Sequence, residues 1–246
     1  MDLAVAADTL RDLHHGDAPL VLPNAWDAAS AKLFADKLGF PAVATTSAGV
    51  AEAIGYADHE VTPPEEMFAA VARIAGAVDV PVTADLESGY GRASLSLVES
   101  LLHAGCVGLN IEDTDHAAGG DRLAEPAAHA AQLASIKEAG RAAGVDVVLN
   151  ARVDVFLRGG GVEEALTRAR EYAAAGADCV YPIGVRDETD IATLVEGAGA
   201  PVNVLALPGG PPRSRLAALG VARITFGAVL FRQALGEAER MLGDYR

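Results

Sequence analysis

The sequence predicts an α/β protein that folds as a (β/α)8 TIM barrel, and three observations support this class. Short Val-rich segments recur along the chain, each followed by a polar or glycine-containing loop and then by an Ala/Leu-rich segment with helical spacing. The Val-rich segments are continuously apolar, as in strands that are buried on both faces. Eight such units fit within this length, which matches the barrel, and a doubly wound open sheet is the alternative.

The units follow one another without a Ser/Pro-rich linker or a charge block, so residues 1–246 are expected to form a single domain. The predicted strands are Leu20–Leu22, Ala42–Thr45, Val82–Asp85, Val107–Ile111, Val147–Ala151, Cys179–Tyr181, Val202–Leu205 and Arg223–Thr225. The predicted helices between and after them are Asp27–Leu38, Pro63–Ala75, Ser94–Ala104, Pro126–Ala143, Val162–Ala174, Asp187–Glu196, Arg213–Leu219 and Ala228–Leu242.

Glycines end several of these helices, directly before the next strand. Glycine adopts the left-handed conformation without steric cost, which predicts a return turn at Gly39, Gly105, Gly144, Gly176 and Gly220. An extra amphipathic segment, Leu3–Leu13, is expected to cover the N-terminal side of the barrel.

The last helix carries an apolar stripe formed by Val229, Leu230, Phe231 and Leu235. The stripe could contact another subunit or cover the barrel itself, and the sequence does not choose between the two.

Composition excludes several classes of protein. The chain has 19 Lys and Arg against 34 Asp and Glu, a net charge of −15, which opposes binding to nucleic acid or to an anionic membrane. No apolar run reaches membrane-spanning length, and the N-terminus lacks the regions of a signal peptide. Cys106 and Cys179 stand in apolar stretches, which predicts core residues rather than a disulfide. A cytoplasmic protein is expected.

Acidic residues follow three consecutive predicted strands, at the strand ends where a barrel places its active site. Asp85 and Glu87 follow the third strand, Glu112 and Asp113 the fourth, and Asp154 the fifth. One such residue alone would most simply be a helix N-cap or a solvated charge. Carboxylates that converge from neighbouring strands repel one another unless a cation lies among them. Because the cluster is rich in oxygen and poor in imidazole, it predicts Mg²⁺, or Mn²⁺, rather than zinc.

Three further features belong to the same strand ends. Arg152 offers a bidentate clamp for a carboxylate or phosphonate, and a salt bridge to Glu112 or Asp154 is compatible with that role. Ser47 lies in the small-residue segment 45–49, whose backbone N–H groups could approach an anionic oxygen. His116 could act as an acid or base near neutral pH, or be an exposed loop histidine.

Six segments taken in order resemble the isocitrate lyase and phosphoenolpyruvate mutase superfamily. They are Pro23-Asn-Ala-Trp-Asp27, Thr45-Thr-Ser-Ala-Gly49, Gly55-Tyr-Ala-Asp58, Thr83-Ala-Asp-Leu-Glu-Ser-Gly-Tyr-Gly91, Asn110-Ile-Glu-Asp113 and Asn150-Ala-Arg152. The resemblance covers nearly the whole chain. It implies a (β/α)8 barrel whose last helix is often exchanged between subunits of a homodimer or homotetramer.

The resemblance also implies the residues of the site. The metal ligands would be Asp85, Glu87 and Glu112, binding Mg²⁺ directly or through water. The catalytic groups would be Asp58, a mobile acid, with Glu112, Arg152 and His116. The residues that bind a small carboxylate or phosphonate substrate would be Ser47, Ala48, Gly49, Arg152, Asn203, Trp26 and Tyr90, the two aromatic residues being equally suited to packing at the barrel mouth.

The loop Asp113–Arg122 departs from the best-known members. It has neither the Lys-(Lys/Arg)-Cys-Gly-His segment of isocitrate and methylisocitrate lyases nor the Lys and Asn-Ser of the mutases. The resemblance therefore implies a Mg²⁺-dependent carbon–carbon lyase, or a decarboxylase, that acts on a small 2-oxo or 2-hydroxy carboxylate through an enolate. The alternatives are a phosphonopyruvate-type mutase or hydrolase that acts on a P–C bond, and a non-catalytic barrel that binds a carboxylate.

Overall fold

The computed structural model describes residues 2–120, 122–243 and 245, and its strands form one parallel ring. The strands are β1 (Leu20–Leu22), β2 (Asn24–Ala25), β3 (Val43–Thr45), β4 (Val82–Asp85), β5 (Gly108–Glu112), β6 (Val148–Val153), β7 (Cys179–Pro182), β8 (Asn203–Leu205) and β9 (Arg223–Thr225). Pairing runs in order from β2 to β7, and β9 pairs with both β8 and β1. A parallel bridge from Val180 to Val202 joins β7 to β8, and Pro23 alone separates β1 from β2. These pairings connect eight strand positions in a ring, which confirms the predicted class.

Helices surround the ring, and those predicted are present within a few residues of the expected bounds, except that the predicted helix Asp27–Leu38 is α-helical only to Lys32 and continues as a π-helix over Leu33–Lys37. They are α1 (Leu3–Asp12), α2 (Ala28–Lys32), α3 (Ser47–Ile54), α4 (Pro64–Ala75), α5 (Ser94–His103), α6 (Pro126–Ala142), α7 (Val162–Ala174), α8 (Glu188–Gly197), α9 (Arg213–Ala218) and α10 (Val229–Gly243). None of the helices in the described ranges combines the length and the apolar character that crossing a membrane requires.

Helix α3 is not among the helices predicted from the sequence, which gives residues 45–49 only as a segment of small residues. The side chain of Thr46 accepts a hydrogen bond from the Gly49 N–H at 3.3 Å and caps the helix that begins at Ser47. The small residues of this segment therefore form a first helical turn, and the turn lies at the carboxyl end of β3.

Helix α1 covers the N-terminal end of the ring, as predicted. Leu10 is fully buried, and its Cδ2 lies 2.8 Å from the position that a Cβ on Gly108 would occupy, so glycine is needed at the start of β5. Arg11 donates a hydrogen bond of 2.9 Å to Asp178, which immediately precedes β7. This end of the barrel is closed, and the opposite end is left for a site.

Two smaller predictions are also confirmed. The glycines at the predicted return turns have φ values between 72° and 102°. Cys106 and Cys179 are both buried and carry free thiols.

Candidate active site

A cavity of about 220 Å³ lies among the carboxyl ends of the strands. Five of the predicted site residues line it: Ser47, Ala48, Asp58, Asp85 and Arg152. They come from β4, β6, the start of α3 and the segment after α3. The parallel register sets Glu112 beside Arg152 on the neighbouring strand. The fold therefore brings the charged residues of the motifs to one end of the ring.

Asp85 ends β4 and is fixed from the side of β3. Its Oδ2 accepts hydrogen bonds from the Ser47 backbone N–H at 3.1 Å and from the Ser47 hydroxyl at 2.9 Å. Its Oδ1 has only a long contact of 3.4 Å with Asn110 Nδ2. In this structure, Ser47 thus orients an acidic side chain rather than leaving its N–H free for a substrate oxyanion.

Glu87 is buried and held in a strained backbone conformation, with φ of 51°. Its carboxylate accepts hydrogen bonds of 2.7 Å from the Tyr90 hydroxyl and from the Glu60 backbone N–H. Burial, together with the negative charges of Asp58, Asp85 and Glu112, raises the pKa of Glu87 to about 8. Glu87 is therefore the member of the acidic cluster that tends to hold a proton near neutral pH.

Arg152 and Glu112 form a buried ion pair that includes a second acid. The Nη1 of Arg152 contacts a Glu112 oxygen, while its Nε and Nη2 donate to the two oxygens of Asp154 at 2.6 and 2.9 Å. Burial alone would lower the pKa of Arg152, but these two carboxylates raise it well above its ordinary value. The guanidinium fork that the sequence assigns to a substrate is directed at Asp154.

His116 lies against this pair, and its Nε2 is 2.6 Å from Glu112 Oε1. The side chain is only 7% exposed, which rules out the exposed loop histidine considered above. The hydrogen bond to Glu112 raises the pKa of His116 despite partial burial. His116 therefore has the contacts of a group that holds a proton beside the site.

A second group of side chains could hold a metal ion. His59, Glu87 and His116 each contribute one potential ligand atom, and these atoms lie within 4.8 Å of one another. His59 and His116 also line, with Tyr90 and Glu112, a groove of about 500 Å³ beside the first cavity. His59 was missed by the sequence analysis because it stands in a loop outside any strand end. Imidazole ligands suit transition metals better than Mg²⁺.

Four predicted substrate-binding residues do not line the cavity: Trp26, Gly49, Asn203 and Tyr90, of which Tyr90 lines the second groove instead. The Trp26 ring packs against the ring of Phe231, 5.6 Å away. Gly49 lies beside this pair: a Cβ there would meet Trp26 Cβ and Phe231 Cβ at the ordinary contact distances of 3.4 and 3.5 Å, but would lie only 2.7 Å from Thr46 Cγ2. Asn203 is fully buried inside the ring, where its Oδ1 accepts a hydrogen bond of 3.1 Å from the Thr225 hydroxyl.

The chain matches a known protein family over almost its whole length. The sequence model of the family described as phosphoenolpyruvate phosphomutase matches residues 10–245. The chain belongs to this family. The superfamily resemblance is thereby confirmed, and so is the prediction that the chain is an enzyme.

The relatives of this chain are named for several different reactions. Oxaloacetate decarboxylase of Pseudomonas savastanoi pv. phaseolicola is 30% identical over 238 residues, covering 91% of this chain and 78% of the relative. The solved phosphoenolpyruvate phosphomutase of Streptomyces platensis subsp. rosaceus is 25% identical with a TM-score of 0.85, covering 98% of this chain and 88% of that one. The solved 2,3-dimethylmalate lyase is 25% identical with a TM-score of 0.87, covering 97% and 86%. These similarities in sequence and structure support lyase or mutase chemistry and do not identify the substrate.

The sequence analysis also missed Arg223, which lines the cavity from β9 and is 2% exposed. An arginine inside the apolar segment Val221–Thr225 is unusual, because arginine is almost never fully buried without a partner. That signal was available in the sequence.

Proposed function

We propose that this enzyme is a Mg²⁺-dependent carbon–carbon lyase, or a decarboxylase, that acts on a small 2-oxo or 2-hydroxy carboxylate. The observation that carries the proposal is Asp85: it lines the cavity, and its Oδ2 is fixed by Ser47 while its Oδ1 keeps only the long contact with Asn110. A carboxylate held in this way suits a hard cation. The relatives named for oxaloacetate decarboxylation and dimethylmalate cleavage support the substrate class.

The donor set also fits Mg²⁺. Carboxylate oxygens of Asp58 and Asp85 stand near Glu87, whose pKa is raised by burial and by their charges. A divalent cation would remove this repulsion, and hard oxygen ligands are those that Mg²⁺ and Mn²⁺ prefer. The residues assigned to hold it are Asp85 directly, with Glu87 and Glu112 directly or through water.

The chain's own residues then have separate roles. When bound, Mg²⁺ supplies positive charge beside the substrate oxygen that becomes negative as the enolate forms. Ser47 keeps Asp85 in position, and Asp154 holds the guanidinium of Arg152, whose remaining N–H groups can donate to a substrate carboxylate. His116, hydrogen bonded to Glu112, holds a proton at Nε2 that can be passed to the product. The small volume of the cavity limits the water around the reacting bond.

The test is a Mg²⁺-dependent screen of oxaloacetate, 2-methylisocitrate, isocitrate, 2,3-dimethylmalate and phosphonopyruvate, followed by release of pyruvate, glyoxylate and phosphate. We expect turnover of a carboxylate, and a loss of at least about 100-fold in the Asp85→Asn variant because an essential ligand oxygen is lost. The matched variant His59→Ala should keep Mg²⁺-dependent turnover within about threefold.

Other results would redirect the assignment. Full activity of Asp85→Asn together with inactivity of His59→Ala would move the metal to the His59, Glu87 and His116 group. If phosphonopyruvate is the one compound of the panel that reacts, and phosphate is released from it, the enzyme cleaves a P–C bond and the proposed lyase reaction is wrong.

We also propose that the enzyme is a homodimer or homotetramer in which α10 forms part of the contact. Of the residues in α10, Phe231 is buried, whereas Leu235 is 55% exposed, Met241 58% and Leu242 63%. Exposed large apolar side chains grouped on one helix favour an interface.

A further inference from the structure

The group formed by His59, Glu87 and His116 has nearly the spacing of a metal site. Each residue contributes one nitrogen or oxygen atom, and these atoms lie within 4.8 Å of one another. In a tetrahedral zinc site with bonds of about 2.0–2.1 Å, ligand atoms stand about 3.4 Å apart. Glu87 is buried and accepts two hydrogen bonds of 2.7 Å, whereas His59 is exposed. A small movement of the His59 side chain would therefore complete the site.

His116 has the surroundings of a metal-bound histidine. In metal sites, a ligating imidazole usually donates its other ring N–H to a carboxylate, which fixes the orientation of the ring. Nε2 of His116 lies 2.6 Å from Glu112 Oε1, and this contact leaves Nδ1 for a metal. The negative charges of Glu60, Glu87 and Glu112 all act on His116. Together they favour a cation at this place.

The same group differs in chemistry from the carboxylates assigned to Mg²⁺. Mg²⁺ prefers oxygen ligands, whereas two imidazoles and one carboxylate suit zinc and its neighbours in the first transition series. His59 and His116 both line the groove of about 500 Å³ beside the first cavity, and His59 is exposed, so an ion can reach the group from solvent. The group therefore selects a different kind of ion from the one assigned to Asp85.

We propose that His59, Glu87 and His116 bind Zn²⁺, or a similar transition-metal ion, and that this ion inhibits the enzyme. The binding stands on the geometry of the three residues. The inhibition rests on the proposed function, which assigns Glu87 to Mg²⁺ and gives His116 a proton that is passed to the product.

Zinc would disable both of these residues. Glu87 is assigned to both ions, so zinc competes with Mg²⁺ for its carboxylate. An imidazole that has given one nitrogen to a metal can release its remaining proton only as an imidazolate, and it is then a far weaker acid near neutral pH than an imidazolium. His116 would therefore hold its proton at the step where the product needs one.

Binding is tested with metal ions alone. Calorimetry with Zn²⁺ measures the affinity, and the visible absorption of Co²⁺ reports whether nitrogen ligands surround the ion. We expect His59→Asn to weaken Zn²⁺ binding by at least about tenfold and to change the Co²⁺ spectrum, because an imidazole ligand is lost. Asparagine tolerates the φ of 73° at this position, so the loop can keep its conformation.

Two further variants separate this site from the one assigned to Mg²⁺. His103→Ala removes an exposed imidazole on α5, outside the group, and should leave the Zn²⁺ affinity unchanged. Asp85→Asn removes the assigned Mg²⁺ ligand. It should weaken Mg²⁺ binding by at least about tenfold while changing the Zn²⁺ affinity by less than about threefold.

Inhibition is tested by measuring turnover in excess Mg²⁺ while Zn²⁺ is added. We expect the wild-type enzyme to lose activity as Zn²⁺ binds. His59→Asn should keep Mg²⁺-dependent turnover and should raise the Zn²⁺ concentration for half-inhibition by at least about tenfold, in step with its weaker Zn²⁺ binding.

The outcomes separate this inference from the proposed function. Zn²⁺ binding that depends on His59, in a protein without Mg²⁺-dependent turnover, supports the zinc site and overturns both the lyase and its inhibition. An unchanged Zn²⁺ affinity in His59→Asn overturns the site. So does a Zn²⁺ affinity that falls in Asp85→Asn as much as in His59→Asn, because zinc would then occupy the place assigned to Mg²⁺. Full turnover with zinc bound overturns the inhibitory role.

Discussion

His129 and His14 are two imidazoles that the fold keeps buried and neutral. The His129 ring packs 4.8 Å from the ring of Tyr172, and His14 donates one hydrogen bond of 2.8 Å from Nδ1 to the Leu10 carbonyl. The Nε2 of each has no hydrogen-bond partner within the described part of the chain. Burial lowers both pKa values from 6.5 to about 4.

The sign of the resulting pH dependence follows from these values. Above pH 6.5 both the folded and the unfolded chain hold these histidines neutral, so the shift costs nothing. Between pH 6.5 and about 4 the unfolded chain binds protons that the folded chain excludes, so the free energy of unfolding falls. At pH 5 each histidine should account for a loss of roughly 2 kcal/mol relative to pH 7.5.

We expect His129→Phe, which preserves the ring packing on Tyr172, to remove the contribution of His129 to this fall in the free energy of unfolding. Urea denaturation at pH 7.5 and pH 5 should show a pH-dependent loss about 2 kcal/mol smaller than in the wild-type protein. His103→Gln, a change at an exposed position on α5, is the control and should leave the loss as it is. Glu87, with its pKa raised to about 8, acts in the opposite direction in both proteins and cancels in the comparison. If the free energy of unfolding of His129→Phe depends on pH as that of the wild-type protein does, His129 is not a buried histidine with a lowered pKa.

At the scale of elements, strain is concentrated in two facing loops, residues 56–62 and 86–93. The non-glycine residues with positive φ in the described ranges are His59 at 73°, Glu60 at 57°, Glu87 at 51° and Tyr90 at 56°. Glu60 Oε1 joins the loops by accepting from Ser88 N–H at 3.1 Å, Ser88 hydroxyl at 2.6 Å and Tyr90 N–H at 2.7 Å. Strained backbone persists only where surrounding contacts hold it, and Glu60 supplies those contacts.

Glu60→Ala should therefore release the loop that carries Asp58. We expect amide hydrogen exchange across residues 56–62 to speed up by at least about tenfold, since hydrogen bonds to a charged group are worth more than about 1.5 kcal/mol. Glu66→Ala is the matched control, because it removes a single exposed hydrogen bond of 2.7 Å, donated by the Tyr56 hydroxyl at the start of the same loop. Exchange that is equally slow in Glu60→Ala and in the wild-type protein would show that other contacts hold the loop.

The strand ends could be predicted from sequence, because the alternation of apolar strands and helices places Asp85, Glu112 and Arg152 at one edge of a parallel ring. The partners that meet over these strand ends, when loops far apart in sequence fold together, could not be predicted. Glu60 is 28 residues from Ser88, and it meets that residue only because two loops fold over the same strand ends. Trp26 shows the same limit: its sequence neighbours suggest a ligand contact, whereas in the fold its ring packs against Phe231 of α10.

At the scale of the whole molecule, α10 is the element least covered by the barrel. Phe231, Leu235, Ala238 and Leu242 follow the three- and four-residue spacing that places side chains on one helix face. Only the first of them is buried, where Phe231 meets Trp26. The rest of the face is apolar and exposed on a chain with a net charge of −15, so a second subunit that covers it must offer apolar surface rather than added acidic charge.

We expect the wild-type protein to have a solution mass of at least about twice the 25.2 kDa chain in size-exclusion chromatography with light scattering. Leu235→Glu should shift it toward the monomer, because a carboxylate would be buried in the contact without a partner. Leu95→Glu is the matched control: Leu95 on α5 is 56% exposed against 55% for Leu235, so the two changes disturb a free subunit equally. A wild-type protein that elutes as a monomer, or equal dissociation by both substitutions, would leave the α10 face without a role in assembly.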